Sequence, residues 1–508
     1  MRPSALPDSH CSQLSEFIAD AMGLHFPRER WCDMQRGLAE AADEFGFDNV
    51  TACVDWLMSA PLTKVQLQVL AGYLTVGETY FFRDMKTFEV LTASVLPGLI
   101  DSRRGHEQRL RIWSAACCTG EEAYSLAILL HQVLPDLADW RVTILATDIN
   151  TRFLQKAAAG SYSEWSFRDV AMGFKERYFN RSKDGCYVVV PEIKEMVTLA
   201  NLNLAEDGYP SLATGTNAMD LILCRNVLMY FTPLQTCKVI GNLHRALIVG
   251  GWLAVGPSEA SQALFPQFVT LNYPGVILYQ KSDALVQNRQ ALPPVALREE
   301  VEFLTPETEV PREWGAAPTS TFQPSEPIPT LPPELPVSVD ACLRPYAIAQ
   351  SQYARGRYEE ATSTLLGLCD GPTAEPAEFS LLARSLANQG RLADALAWCD
   401  RWITADKMDS AGHYLRAVVL LEQGDSEQAR RSLQRAVYLN PDLVLAHFAL
   451  GNIARGREKA GEADKHFGNA LRLLGRQQSD ALIPESDGLT AGRLTEIITS
   501  LAELENVP

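Results

Sequence analysis

The chain has 508 residues, 47% of them hydrophobic, which is enough for two to four packed domains, and it carries a formal net charge of −17. That charge disfavours nucleic acid or an anionic membrane surface as a partner, since both demand a basic footprint. No apolar run could span a bilayer and the N-terminus lacks a signal-like pattern, so a cytoplasmic protein with no membrane insertion is expected.

Residues 1 to about 75 carry helical spacing of apolar positions, as in CSQLSEFIADAMGL and VTACVDWLMSA, and an N-terminal helical domain over 1–85 is expected. From about 108 onward strands and helices alternate: RLRIWSA, EEAYSLAILLHQVL, RVTILATDI, TRFLQKAAAG, DLILCRN, PLQTCKVIGNLHRAL, GWLAVG and VILYQK. Such alternation predicts an α/β domain over 86–282, a parallel sheet wrapped by helices. Inside it the alternating patch GCYVVVPEIKEMVTLANLNL is expected to form a hairpin subdomain within about 160–200. Eleven of the 29 prolines lie between Pro293 and Pro336, which marks 283–340 as a linker because proline lacks an amide donor and has a restricted φ.

The remainder repeats. Gly356, Gly390 and Gly424 recur at one constant interval, and Ala361, Ala395, Ala429 and Ala463 recur at the same interval. Ala349, Ala383, Ala417 and Gly451 keep that step, and so do Leu365, Cys399, Leu433 and Phe467. The step is the period of tetratricopeptide units, about 34 residues, and small residues stand where the two helices of each unit would cross. Tetratricopeptide helical hairpins are therefore expected over 341–475. The fourth unit departs at its turn, where Glu458 takes the glycine position. A final helix over 488–504, within a tail of 476–508, is expected to cap the stack.

In a doubly wound sheet the ligand lies outside the carboxyl ends of the strands, at turns that let backbone approach it. The turn in WSAACCTGEEAYSLAI is built of small residues with Gly120 alone unrestricted, and Asp148 ends the second strand, where acids of this fold accept hydrogen bonds from ribose hydroxyls. Asp148 as a cap of the helix starting near Thr151 is the competing reading. No phosphate-binding glycine cluster or partner lysine follows, which disfavours dinucleotides and nucleoside triphosphates and favours a phosphate-free nucleoside such as S-adenosylmethionine. Scattered cysteines without CxxC spacing, eleven in all, read as reduced structural thiols, and no metal site is predicted.

Six motifs then resemble, in order and approximate spacing, the chemotaxis-receptor glutamate O-methyltransferases of the CheR type: TVGETYFFRD, RIWSAACCTGEEAYSLAI, ATDINTRFLQKAAAGSY, LNL, DLILCRNVLMYF and GGWLAVGPSE. The resemblance covers about residues 15–282, and the fused tetratricopeptide repeats are similar to those of a known subgroup. It implies a small all-α N-terminal domain, a class I (Rossmann-like) methyltransferase domain with an inserted β-subdomain, and S-adenosylmethionine as cofactor, leaving as S-adenosylhomocysteine. By position it implies cofactor contacts from Gly77, Thr79, Arg83, Glu122, Asp148, Asn203, Leu204, Arg225 and Asn226, and catalytic roles for Arg83 and Tyr230.

The chemistry is compatible with that resemblance. A glutamate side chain with a pKa of about 4.3 is ionised at neutral pH, so its carboxylate can accept a methyl group without a general base. No histidine falls in the six motifs, and His131 and His244 read as helix-surface residues. Arg83 is either a bidentate clamp for a carboxylate or one half of an ion pair with Asp84 or Glu78. Phe81, Phe82 and Trp113 read as core.

Three departures stand out. Gly77 replaces the asparagine usual in the resembled family. The stretch 1–75 holds five basic against ten acidic side chains, leaving only Arg28, Arg30 and Arg36 as candidates for docking acidic receptor helices. RSKDGCYVVV lacks the family's glycine-bounded loop, which implies receptor recognition independent of a tail peptide. The implied partners are the cytoplasmic helices of methyl-accepting chemoreceptors. The repeats are left two roles, binding a further protein in their groove or folding back on the α/β domain. Two functions are carried forward: the receptor methyltransferase, and a weakly catalytic sensor of S-adenosylmethionine or S-adenosylhomocysteine that signals through its repeats.

Overall fold

The computed structural model describes residues 6–282 and 345–505, except 106, 171–172, 370–373, 458 and 487; the proline-rich linker and Glu458 lie outside the described residues. Four helices open the chain, Asp8–Met22, Trp31–Glu44, Val50–Met58 and Lys64–Leu74. Their apolar faces, including Ile18, Met34, Leu38, Val54 and Leu57, close on one another as a small core. The last of them starts on a reciprocal cap between Thr63 and Gln66, which satisfies amides that the helix itself cannot.

Ten strands follow: β1 Arg109–Ala115, β2 Arg141–Asp148, β3 Ser161–Tyr162, β4 Phe179–Arg181, β5 Tyr187–Val189, β6 Val197–Asn201, β7 Met219–Cys224, β8 Leu247–Val255, β9 Val269–Tyr273 and β10 Val276–Gln280. Seven of them form one sheet in the order β6-β2-β1-β7-β8-β10-β9. β6, β2, β1, β7 and β8 run parallel, while β10 is antiparallel to both β8 and β9. β1 and β7 are buried at every position because helices cover both faces, which is why they read as near-continuous apolar runs. The chain leaves β1 toward β2 on one side and later returns as β7 on the other. Their carboxyl ends therefore splay around a crevice, the switch point at which open α/β sheets take their ligands. Trp113 is fully buried, donating Nε1–H to Thr147 Oγ1 at 2.9 Å, and Phe81 and Phe82 are buried too.

The expected hairpin subdomain is present as β4 and β5, but it takes up only the first half of the alternating patch. A short helix, Pro191–Lys194, separates the two halves of GCYVVVPEIKEMVTLANLNL. The first half gives β5, which joins β3 and β4 in a small antiparallel sheet, whereas the second gives β6, which pairs parallel with β2 at the edge of the main sheet. A parallel partner needs a crossover rather than a tight turn, so local alternation alone does not reveal it.

The C-terminal half is a stack of four helical hairpins: Pro345–Ala354 with Tyr358–Cys369, Pro376–Asn388 with Leu392–Ala405, Ser410–Glu422 with Ser426–Leu439, and Val444–Arg455 with Ala460–Leu474. The repeating alanines, 349, 361, 383, 395, 417, 429 and 463, are all buried at helix crossings. Gly451 breaks that column for a reason visible in the partner helix of its hairpin. A Cβ there would meet Phe467 at 2.5 Å, so the glycine makes room for the aromatic ring that replaces the Leu or Cys of earlier units.

Of the two arrangements left open for the repeats, the structure has them packed on the α/β domain. The turns inside the first three hairpins hold Gly356, Gly390 and Gly424 at φ of 73°, 76° and 81°. Each lies against an arginine of the other half, where an added Cβ would approach Arg245, Arg109 and Arg141 within 2.6, 3.1 and 3.0 Å respectively. Left-handed φ and close approach both select glycine there, so a periodicity that fits an isolated repeat also serves the interface. Leu212, from the loop before β7, is buried within the core of the repeats. The closing helix, Ala491–Glu505, docks beside β6.

Candidate active site

A cleft of about 1010 Å³ opens between the N-terminal helices and the carboxyl ends of β1, β2 and β7. Thr79, Arg83, Glu122, Asp148, Asn203, Leu204, Arg225, Asn226 and Tyr230 all line it, drawn from segments far apart in the chain. Gly77 does not line the cleft. The ring of Phe153 stands in front of it, and a Cβ on residue 77 would lie 2.5 Å from Phe153 Cζ. The side chain lost at Gly77 is thus replaced in space by a phenyl ring that does line the cleft, a residue that motif reading passes over.

The floor is the turn after β1. Ala116, Cys118 and Gly120 all adopt positive φ, at 63°, 52° and 94°, so two non-glycine residues hold a conformation that L side chains disfavour. What holds them is β2. Cys117 N–H donates to Thr147 C=O at 2.8 Å, and Cys118 N–H donates to Asp148 Oδ2 at 2.9 Å. Asp148 Oδ1 accepts from Asn150 N–H at 2.8 Å, leaving each carboxylate oxygen a further lone pair. Burial pushes the Asp148 carboxyl up to about 6 against those two donors. The following helix, Thr151–Ala159, is capped by Asn150 Oδ1 rather than by Asp148, so the competing reading of Asp148 fails. Asn150 also ties the N-terminal helices to the site, its Nδ2 donating to Thr75 Oγ1 at 2.9 Å and Ala71 C=O at 3.2 Å.

Of the two glutamates that open the helix Glu121–Val133, Glu121 is buried on Thr119 and Ser166 and is structural. Glu122 faces the cleft, accepting from Ser114 Oγ at 2.7 Å and from Arg225 at 3.1 Å. Arg225 is committed to the protein: besides Glu122 it bonds Asp84 at 2.5 Å and the Arg83 carbonyl at 2.7 Å. It lines the cleft chiefly as the brace that orients Glu122 and the 83–84 backbone. Arg83 donates to the Glu78 carbonyl at 2.6 Å, a backbone acceptor in place of the carboxylate that an ion pair would use. Asn226 sits at φ 58°, its turn held by Glu259, which accepts from the amides of Asn226 at 2.6 Å and Gly256 at 2.8 Å. Glu259, the last residue of GGWLAVGPSE, is a second support that motif reading does not single out.

Tyr230 is positioned from the N-terminal half. Its carbonyl accepts from His25 N–H at 2.7 Å, and the Arg30 guanidinium lies 5.0 Å from its ring centroid. Arg30 therefore turns toward the cleft, while Arg28 pairs with Asp8 at 2.7 Å and Arg36 lies 3.4 Å from Asp33. His244 corrects a second expectation. It is partly buried with its ring edge-on to Phe268 at 4.9 Å, and burial depresses its pKa to about 3, so it is an uncharged packing residue; His131 is exposed as expected.

The donor set fits a cationic nucleoside without phosphates. Three acidic residues, Glu78, Glu122 and Asp148, line the cleft beside the apolar Ile149, Phe153, Leu202 and Leu204, and no lysine lines it among the described residues. Its size is at the upper end of the range typical of small-molecule sites.

Comparison with known proteins agrees. Residues 77–273 match the family described as CheR methyltransferase, SAM binding domain, and 346–410 and 410–435 match tetratricopeptide repeats. A "Chemotaxis protein methyltransferase 1" of Pseudomonas aeruginosa is 36% identical over 219 residues, 42% of this chain and 77% of its own. A "Chemotaxis protein methyltransferase" of Borreliella burgdorferi is 30% identical over 250 residues, 49% of this chain and 87% of its own. The similarity continues through the repeats in a "Probable biofilm formation methyltransferase WspC" of Pseudomonas aeruginosa, 28% identical over 398 residues, 77% of this chain and 83% of its own.

Proposed function

The chain belongs to the CheR-type family of S-adenosylmethionine-dependent methyltransferases, and on that premise we propose that it methylates glutamate side chains of methyl-accepting chemoreceptors. The observation that carries this reading is the convergence of nine residues, from Thr79 to Tyr230, on one cleft at the switch point of the sheet. When bound, S-adenosylmethionine supplies an electrophilic methyl group on a sulfonium: a carboxylate oxygen forms the new C–O bond, and sulfur keeps the electron pair of the broken S–C bond.

The residues then divide by task. Asp148 would accept hydrogen bonds from the ribose hydroxyls through its free lone pairs, and Glu122 would face the α-ammonium of the cofactor's methionine end. Asn203 and Leu204 would border the base, with Thr79 and Asn226 lining the same cleft. Arg225 acts on the cofactor through Glu122. Arg83 and Tyr230 stand at the open side and orient the incoming carboxylate, Arg83 by hydrogen bonds and Tyr230 by its ring and hydroxyl. Nothing has to remove a proton, because the nucleophile is already ionised. The site's contribution is alignment and exclusion of water.

Phe153 filling the place in front of Gly77 supports catalysis over sensing, since the departure that favours a sensor is compensated within the cleft. Receptor recognition is independent of a tail peptide, a reading supported by the β4–β5 turn, which is closed tightly by Ser182 N–H on Cys186 C=O at 2.8 Å. The protein acts in the cytoplasm, where receptor signalling helices are found; no described helix is long and apolar enough to cross a membrane.

Radiolabelled S-adenosylmethionine incubated with the protein and the cytoplasmic fragments of receptors from its own organism should yield base-labile methyl esters. Arg83→Ala should reduce transfer at saturating cofactor by about tenfold or more. Label that stays with the cofactor although the cofactor binds would refute the receptor assignment.

A further inference from the structure

The helix that closes the repeats reaches the α/β domain at one point of dense polar contact. Arg493, with its side chain nine-tenths buried, donates from Nη2 to the Asn201 carbonyl at 2.8 Å and from Nη1 to Asn201 Oδ1 at 3.3 Å. Its Nε lies 3.3 Å from Glu206 Oε2, and Nη1 is further steadied by Glu496 at 2.6 Å. The two α/β residues it touches lead directly to the cleft. Asn201 Nδ2 donates to the carbonyls of Asp148 at 3.0 Å and Ile149 at 2.9 Å, and Glu206 Oε1 accepts from Asn203 Nδ2 at 3.3 Å. Burial raises the Glu206 carboxyl, and Arg493 is the foremost influence in the opposite direction.

We propose that Arg493 is a positioning residue for the cofactor site, through which the repeat domain completes the nucleoside end of the cleft. A planar guanidinium suits this task because its donors are fixed in a fork and can hold Asn201 and Glu206 simultaneously. Removing it frees the end of β6 and takes from the partly exposed Glu206 carboxylate the cation paired with it, so Asp148 and Asn203 lose a common brace. The repeats thereby act in cis on cofactor affinity, whatever else their outer surface binds. The inference rests on the cofactor assignment and not on the receptor assignment.

Calorimetric binding of S-adenosylhomocysteine to the full chain tests it without any receptor. Arg493→Ala should weaken binding about tenfold or more, the scale of one lost charged hydrogen bond, with Arg493→Lys intermediate. Where transfer is measured, KM for the cofactor should rise while kcat is retained. Arg391→Ala, which removes an exposed pair with Asp394, should leave affinity unchanged. Asn201→Ala should reproduce the loss, and it reads the relay by itself if Arg493→Ala folds poorly; where both fold, the double variant that completes the cycle should add little. Unchanged affinity in Arg493→Ala, or additive losses in the cycle, overturns the proposal. A wild-type chain that binds no S-adenosylhomocysteine overturns the cofactor assignment and this inference with it, whereas receptors that accept no label leave it standing.

Discussion

Asp148 accepts two backbone amides, which favour its ionised form, yet burial outweighs them and its carboxyl titrates at about 6 against 3.8 in the unfolded chain. A folded value raised in this way adds stability that is complete below 3.8 and is lost as pH rises through about 6. Cofactor binding has the opposite sign, because ribose hydroxyls donate to the ionised carboxylate. S-adenosylhomocysteine affinity should therefore fall, by up to about tenfold per unit, as pH drops below about 6. Calorimetry between neutral and mildly acidic pH measures this, and Asp148→Asn should flatten the profile while lowering affinity at neutral pH. Gly77 and Phe153 make a second, steric pair. The Cβ of an asparagine at 77 would meet the ring closer than van der Waals contact allows, so Gly77→Asn should weaken cofactor binding by about 1–3 kcal/mol, the usual penalty of overpacking. In a Phe153→Ala background the same substitution should be tolerated or beneficial. Equal penalties in both backgrounds would show that the ring does not stand in for the missing side chain.

Elements are legible where their signal is local. β1, β2 and β7 announce themselves as apolar runs ending in small or acidic residues, and the repeats as columns in constant register. Nine of the ten candidate site residues meet at one cleft because they sit in short motifs near strand ends, where the fold brings them together. β6 is ambiguous because VTLAN alternates equally well as a hairpin arm or as a parallel edge, and only its distant partner β2 decides. The compensations are invisible in sequence for the same reason. Nothing near Gly77 points to Phe153, nothing near Gly451 in the sequence singles out Phe467, and Arg493 lies 292 residues from the Asn201 it holds. His244 misleads because its helix offers no local sign of a cover, and only the packing of Phe268 shows that its ring is enclosed. Local pattern specifies an element, whereas the reason for an odd residue within it is often a side chain from another element.

At the scale of the molecule, one acid joins the two halves. Glu422, at the end of the helix Ser410–Glu422, sits between Arg109 and Arg111 of β1, at 3.2 and 3.7 Å, and all three side chains are under a tenth exposed. The contact is made at the start of β1, on the side of the sheet away from the cleft, so it fixes the repeats without touching the reacting centre. Desolvation lowers the pKa of Arg111, and Glu422 is the foremost group raising it again. Two arginines share one carboxylate, and Glu422 Oε1 has no hydrogen bond among the described residues, so the desolvation cost of the three charges offsets much of their attraction. Breaking it is another matter, because Glu422→Ala leaves two buried cations without their shared carboxylate. That substitution should lower the stability of the docked arrangement by about 3–5 kcal/mol, seen in calorimetric unfolding as an earlier, separate transition for the repeats. Glu422→Gln should fall between the wild-type chain and the alanine variant. Since Arg493 braces the cofactor site from the same C-terminal half, undocking by Glu422→Ala should also weaken S-adenosylhomocysteine binding, although Glu422 touches nothing in the cleft. If the repeats separate thermally while affinity stays at the wild-type value, the closing helix holds its place on β6 without help from the stack behind it, and the two contacts are independent.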